Sequence, residues 1–219
     1  LLRKKRIAYK NGVDTSRWHR VEMVWEKDFE KLRKETIKNS VFMKACRREK
    51  TDYTPVWLMR QAGRFMREYR ELRARVSFLE LCKTPGLAAE VTLSAVDRLG
   101  VDAAIIFSDI LVILEPLGVG LEFSKGDGPK ILKPVRSGKA VDGLSDFDAE
   151  SLGFVYDAIS ITRRALDPEK ALIGFAGAPF TIASYAIEGG GSRNYENTKG
   201  LIYKDPGAWH TLMEKLTAA

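Results

Sequence analysis

Six arginines and no lysine occur in residues 54–75, TPVWLMRQAGRFMREYRELRAR. A guanidinium group presents a planar fork of donors that matches a carboxylate with two parallel hydrogen bonds, which an ammonium group does not. Arg60 and Arg64 flank Gly63, where the lack of a side chain lets the backbone approach a ligand closely. Such a pattern would suit a carboxylate-binding site. On composition alone, solvated arginines at a helix start are the stronger interpretation, and the four later arginines alternate with glutamates that offer ordinary ion pairs.

A single carboxylate follows a predicted buried strand. Val101–Phe107 is an apolar run bounded by Gly100 and Ser108, a pattern typical of a strand buried on both faces, and Asp109 comes next. In parallel β/α proteins, catalytic groups lie at the carboxyl ends of the strands. Aspartate is also a good helix N-cap. Both roles therefore stay open for Asp109.

Tyr185 and a glycine run occupy a similar place behind a later predicted strand, Ala171–Gly174. The run EGGGS, residues 188–192, has two interpretations. Three glycines serve as a hinge, or they offer unobstructed backbone N–H groups to an anion. The preceding GAPFT is neither a Walker motif nor a dinucleotide-binding motif.

Helices must hold these strands in place. Helical spacing of apolar residues predicts helices over residues 28–48, 64–75, 84–99, 146–166 and 205–216, with an extended run at 56–59 and a loop with short strands at 118–143. Strands that alternate with helices predict a parallel β/α architecture. About three such units are visible, whereas a closed eight-unit barrel needs about 250 residues. If the fold is a (β/α)8 TIM barrel, this chain supplies only its first part.

The positive charge is concentrated at the start of the chain. The net charge is +7, but residues 1–50 carry 16 Lys and Arg against 7 Asp and Glu, while the other 169 residues carry 20 against 22. A nucleic-acid-binding protein would spread basic groups over its folded body, so this function is not favoured. We predict a disordered basic extension over residues 1–25 and a single domain over residues 26–219.

Few residues can bind metal or form disulfides. Cys46 and Cys82 are too few for a disulfide framework and suggest a reducing compartment. Together with His19 and His210 they form no zinc-binding spacing, so no bound metal is expected. The least polar stretch, residues 99–121, contains three acidic residues, which argues against a membrane span.

Three segments carry a family resemblance: PVWLMRQAGR at 55–64, AAIIFSDIL at 103–111 and GFAGAPFTIASYAIEGGGS at 174–192. Together they resemble the signatures of the uroporphyrinogen decarboxylase family, from about Asn39 to the end of the chain. The resemblance implies a homodimeric (β/α)8 barrel without metal or organic cofactor. It also implies a carboxy-lyase that converts the four acetates of uroporphyrinogen III to methyl groups, giving coproporphyrinogen III in haem and chlorophyll biosynthesis. The expected location is the cytoplasm, or a plastid if the source is a photosynthetic eukaryote.

The same resemblance implies roles for individual residues. Asp109 would accept hydrogen bonds from the pyrrole N–H groups, which suits a carboxylate with several lone pairs, and Tyr185 would lie near the departing acetate. The implied catalytic residues are Asp109 and Tyr185. The implied substrate-binding residues are Arg60, Arg64, Arg73, Phe107 and Phe175.

Two departures from the family pattern matter. Arg67 stands where the family commonly has proline. The family's later serine and histidine contacts would lie beyond Ala219, so we predict that residues 1–219 alone neither close a barrel nor turn over substrate. Two alternatives stay open, a corrinoid-dependent methyltransferase of the same superfamily, which would use zinc, and an inactive tetrapyrrole-binding fragment.

Overall fold

The structure is a computed structural model that describes residues 34–124 and 128–219. Within these ranges, α-helices surround two short β-sheets. The strands are β1 Ala103–Ile105, β2 Leu121–Ser124, β3 Gly128–Ile131 and β4 Ala171–Ile173. The helices are α1 Val41–Cys46, α2 Arg67–Arg73, α3 Phe78–Lys83, α4 Pro85–Leu99, α5 Gly138–Asp142, α6 Gly153–Ala165, α7 Pro179–Glu188, α8 Glu196–Lys204 and α9 Pro206–Ala218. Two 3-10 helices span Ile110–Leu114 and Ala149–Leu152.

Strands β1 and β4 pair in parallel, with Ala103 opposite Ala171 and Ile105 opposite Ile173. Helices α4 and α6 pack against each other and against this pair, since Ala88 of α4 and Ala158 of α6 share a buried cluster with Ile106. This arrangement confirms the predicted parallel α/β organisation. It also places the carboxyl ends of two neighbouring strands at the same edge of the sheet.

Helix α4 matches its predicted bounds because both of its ends are encoded locally. Pro85 occupies the first turn, where its missing N–H costs no helical hydrogen bond. Gly100 ends the helix with φ of 65°, a left-handed conformation that glycine adopts without a Cβ clash. The short α4–β1 connection then delivers the chain directly into the sheet.

Strands β2 and β3 form an antiparallel hairpin within the predicted excursion at 118–143. The glycine run behind α7 packs against this hairpin. Gly189 ends α7 with φ of 89°, and Gly190 forms a bridge with Lys130. A Cβ on Gly190 would lie 2.8 Å from the Pro129 carbonyl oxygen. The run therefore permits a close backbone approach, which accounts for these two glycines without a bound anion.

The main core joins the hairpin, the 3-10 helix Ile110–Leu114 and helices α7 to α9. Among its buried members are Leu111, Ile131, Ile187 and Leu212. The segment that follows β1 is therefore anchored in the largest apolar cluster among the described residues.

Several boundaries differ from the sequence-based predictions. The helix predicted from residue 146 begins as α6 only at Gly153, because Asp148 first caps a 3-10 helix. The helix predicted over 28–48 is divided, since Ser40 caps α1 after a helical turn at 34–38. Helix α8 was not predicted, and the extended run 56–59 forms no assigned strand.

The predicted basic extension over residues 1–25 lies outside the described residues, as does the start of the helix predicted at 28–48. None of the helices described is at once long enough and apolar enough to cross a membrane.

Candidate functional site

Asp109 is a partly buried carboxylate immediately behind β1. Its side chain accepts a hydrogen bond of 2.8 Å from the Leu111 N–H and caps the 3-10 helix that follows. The predicted capping role is thus confirmed. Burial raises the pKa of the Asp109 carboxyl, and the hydrogen bond from Leu111 only partly offsets this effect. A carboxylate held in a water-poor position is energetically unfavourable unless a cation or several donors approach it.

The backbone that carries Asp109 is held from three directions. The Ile106 N–H donates to the Ile173 carbonyl of the neighbouring strand at 3.1 Å. The Phe107 N–H donates to the Thr92 hydroxyl on α4 at 2.9 Å. A Cβ on Gly177, in the loop behind β4, would lie 3.2 Å from the Ile110 Cβ. The loops behind β1 and β4 are therefore in direct contact.

Aromatic rings from four segments form a continuous apolar surface beside this strand end. The Phe107 ring lies 5.8 Å from the Tyr69 ring and 5.9 Å from the Phe78 ring, measured between centroids. The Phe78 ring in turn lies 4.6 Å from the Phe123 ring on the hairpin. Edge-on and tilted packing at these separations is favourable. We call these four residues the aromatic cluster.

A cation and a thiol border the aromatic cluster. The Arg73 guanidinium lies 5.7 Å from the centre of the Phe78 ring and donates a hydrogen bond to the Val76 carbonyl. Burial raises the pKa of the Cys82 thiol to about 12, and the nearby Asp109 carboxylate adds to this shift. Burial also raises the pKa of Tyr69, opposed by the Arg73 charge. Cys82 is therefore a neutral, unreactive thiol at neutral pH.

Arg60 and Arg64 lie in a segment that runs beside β1. The Asp102 N–H donates to the Val56 carbonyl at 2.9 Å, and the Asp102 carboxylate accepts from the Val56 N–H at 2.7 Å. Gln61 is only 2% exposed, and its amide donates to the carbonyl of a β1 residue, Ala103, at 3.2 Å. Gln61, which lies between Arg60 and Arg64, thus fixes this segment to β1, the strand that leads to Asp109.

The Arg60 and Arg64 side chains are exposed. Among the described residues, neither guanidinium forms a hydrogen bond or an ion pair, either with Asp109 or with any other group. Arg60 has φ of 57°, a left-handed conformation that is uncommon for a residue with a side chain. By contrast, Arg67 forms an ion pair with Glu71 at 2.7 Å, as predicted for the later arginines.

Phe175 and Tyr185 occupy different environments. Phe175 lies two residues beyond β4 and is 42% exposed, at the same sheet edge as Phe107. Tyr185 lies on α7 and, like Ile110, is partly buried against the main core. Both residues therefore belong to the segment behind β4, but only Phe175 presents much of its ring to solvent.

Sequence reasoning missed several residues of this site. Gln61 was noted only as part of a motif, and Tyr69, Phe78 and Cys82 were given no role. Their positions depend on contacts between distant segments, so local spacing contained no signal for them. In the described part of the chain, no three His, Cys, Asp or Glu side chains come together as metal ligands would.

The parallel strand pair and its covering helices define an α/β protein, and the two similarities that follow indicate that its fold is of the TIM-barrel type. A methyltransferase from Methanosarcina mazei has a similar fold, with a TM-score of 0.64 over 82% of this chain and 52% of that one, at 19% sequence identity. Residues 37–219 match the family described as uroporphyrinogen decarboxylase (URO-D). The chain belongs to this family.

Curated relatives agree with the family assignment. The chain is 57% identical over 177 residues to a uroporphyrinogen decarboxylase of Sorangium cellulosum, covering 80% of this chain and 50% of that protein. It is 56% identical over 179 residues to one of Carboxydothermus hydrogenoformans, covering 81% and 51%. The chain thus spans about half the length of the curated relatives it matches.

Proposed function

We propose that the protein decarboxylates the acetate side chains of uroporphyrinogen III to give coproporphyrinogen III. The observation that carries this proposal is a desolvated carboxylate, Asp109, at the end of a strand whose flanking segment bears Arg60 and Arg64. Family membership supports the same activity. The relatives named uroporphyrinogen decarboxylase are twice as long as the matched region, so the activity is assigned to the complete protein.

The exposed arginines suit a substrate with eight carboxylates. Arg60 and Arg64 have unpaired guanidinium groups among the described residues, so no internal ion pair must break before they bind substrate carboxylates. Arg73, proposed as a third contact, already donates to the Val76 carbonyl. It also interacts with the Tyr69 hydroxyl, so a carboxylate at the edge of the aromatic cluster would share the guanidinium with these two groups. Phe107 would pack against the macrocycle, and Phe175 would close the opposite side.

The chemistry requires a temporary electron sink. Protonation of the pyrrole carbon beside the acetate gives a cationic ring, and loss of CO2 then returns the electrons of the broken C–C bond to that ring. A second protonation, at the exocyclic carbon, produces the methyl group, and loss of the proton first added to the ring carbon restores the neutral pyrrole. The ionised Asp109 would accept the pyrrole N–H groups and stabilise the cation by preorganised charge in a water-poor site. Tyr185 would lie near the departing acetate.

The identity of the general acid stays open in this proposal. An arginine holds its proton too tightly to be an efficient acid near neutral pH. We therefore assign Arg60 and Arg64 to binding of the carboxylates. The proposed mechanism uses neither metal nor organic cofactor.

We further propose that residues 26–219 form the first part of a (β/α)8 barrel. The parallel β1–β4 pair, the open edges of this pair among the described residues and the length of the relatives support this assignment. The family resemblance supports a homodimer in the cytoplasm. Light scattering on the complete protein would test the dimer, with a single monomeric species as the contrary result.

The proposed activity is tested by incubating the complete protein with uroporphyrinogen III under anaerobic conditions and measuring released CO2 and coproporphyrinogen. Substrate binding without CO2 release would instead support the alternative of a tetrapyrrole-binding protein. The methyltransferase alternative gains no support from the comparisons, because similarity at 19% identity indicates the fold alone.

Variants then test the assigned roles. Asp109→Ala should abolish turnover while leaving the folded state largely intact, and a near-normal rate would refute its role. Arg60→Lys and Arg64→Lys should each raise KM by about 10-fold, the effect of losing a charge-assisted hydrogen bond. Arg67→Lys is the matched control, since Arg67 is exposed and paired with Glu71, and it should leave KM unchanged.

A further inference from the structure

We propose that Thr92 is a positioning residue for Asp109, with its buried hydroxyl holding the end of β1 in register. This inference rests on the function proposed above, in which Asp109 contacts the substrate. Thr92 itself is 1% exposed and lies on the inner face of α4, so it acts through the strand and not on the substrate.

The Thr92 hydroxyl makes two hydrogen bonds with complementary directions. It donates to the Ala88 carbonyl one turn earlier in α4 at 2.8 Å and accepts from the Phe107 N–H at 2.9 Å. A backbone N–H can only donate, so the hydroxyl proton must point toward Ala88. The hydroxyl therefore acts as both donor and acceptor, and it fixes the strand end to the helix behind it.

This contact replaces sheet pairing at the point where the strand ends. Ile106 is still bonded to the Ile173 carbonyl of β4, but the next N–H, that of Phe107, points to α4. Two residues later, the Asp109 carboxylate accepts one hydrogen bond within residues 34–124 and 128–219, from the Leu111 N–H. Because so few contacts hold the carboxylate itself, its direction depends on the backbone that Thr92 fixes.

The chain offers a matched control. Thr162 on α6 is 0% exposed, and its hydroxyl has no hydrogen-bond partner in the described part of the chain. Helix α6 packs against α4, so both threonines lie in the same helical layer. Thr→Val removes a buried hydroxyl and preserves side-chain shape at both positions. Only Thr92→Val leaves a buried N–H of the strand without its acceptor.

The experiment compares Thr92→Val, Thr92→Ser and Thr162→Val in the complete protein. With uroporphyrinogen III as substrate, Thr92→Val should lower kcat by about 10-fold or more with little change in KM, because the carboxylate is misdirected in the transition state. Thr92→Ser should restore most of kcat. Thr162→Val should match the wild type. A kcat for Thr92→Val equal to that of Thr162→Val would overturn the inference.

A second measurement does not depend on activity. The Asp109 carboxyl, titrated by NMR, should show its raised pKa in the wild type and in Thr162→Val, and a pKa nearer the ordinary value in Thr92→Val. An unchanged titration would overturn the inference, whereas an inactive wild type would refute only the proposed function. If Thr92→Val does not fold, amide exchange in the wild type decides, with slow exchange of the Phe107 N–H supporting the inference and rapid exchange contradicting it.

Discussion

Replacing Gly177 by alanine tests whether the loop behind β4 packs directly against the segment that carries Asp109. A Cβ at this position would lie 2.3 Å from the Ile182 Cδ1, 2.8 Å from its Cγ1 and 3.2 Å from the Ile110 Cβ. Ile182 is 2% exposed, so its side chain is enclosed by the core and cannot swing out into solvent. The φ of Gly177 lies outside the left-handed region, so the expected cost is steric and not conformational.

Forcing one methyl group into a packed core costs about 1–3 kcal/mol. For a protein of its relatives' length, about twice the matched 177 residues, the unfolding entropy is about 0.7 kcal/mol/K. Each kcal/mol then lowers Tm by about 1.4 °C, so Gly177→Ala should lower Tm by roughly 1–4 °C. Differential scanning calorimetry of the complete protein measures this change. Because Ile110 follows Asp109 directly, kcat should fall as well.

Gly174→Ala provides the control in the same loop, since a Cβ there would meet nothing within 4 Å. This variant should retain or slightly raise Tm, because alanine restricts the unfolded chain. The double variant Gly177→Ala with Ile182→Ala should show a coupling energy, as the second change removes the clashing atoms. Equal Tm values for Gly177→Ala and Gly174→Ala would show that the described contact between the two loops is wrong.

Two further predictions concern titrating groups. Asp109→Asn keeps an acceptor for the Leu111 N–H but removes a carboxyl whose pKa burial raises, so the variant should be more stable than the wild type at pH 7. This stability advantage should disappear as the pH falls below 3.8, the ordinary pKa of an aspartate, because the wild-type carboxyl is then protonated in both the folded and the unfolded state. Urea unfolding at several pH values measures the change. Glu188→Ala should destabilise the protein by about 1.5–3 kcal/mol, because the Glu188 carboxylate accepts hydrogen bonds from Asn197 and Thr198. Burial raises the Glu188 pKa, but the hydrogen bonds outweigh this effect and leave the pKa lowered. The loss of stability in Glu188→Ala should therefore be full at neutral pH and shrink as acid protonates Glu188 in the wild type. A loss of stability that stays constant down to pH 2 would contradict this explanation.

Local sequence signals predicted the elements that carry the site. Pro85 and Gly100 encode both ends of α4, and the apolar run before Asp109 encodes a buried strand that pairs in parallel with β4. The start of α6 was misplaced because an aspartate N-cap opens a 3-10 helix first, and 3-10 and α-helical patterns share similar apolar spacing over one turn.

The family signatures also located the principal candidate residues. Asp109 lies four residues beyond the end of β1, and Phe175 lies two residues beyond the neighbouring strand. Local sequence around Asp109 is equally compatible with capping and with catalysis. The structure confirms capping, and the proposed catalytic role depends on burial, which no local pattern encodes.

What the sequence determined by itself was therefore the order of strands and helices, their principal caps and the family to which the chain is similar. Only the tertiary structure brought Thr92 to the Phe107 N–H across 15 residues and Gln61 to Ala103 across 42. It also assembled the aromatic cluster from four separate segments. The physical reason is that periodicity and capping act within a few residues, whereas these contacts exist only once helices and strands pack in one particular register.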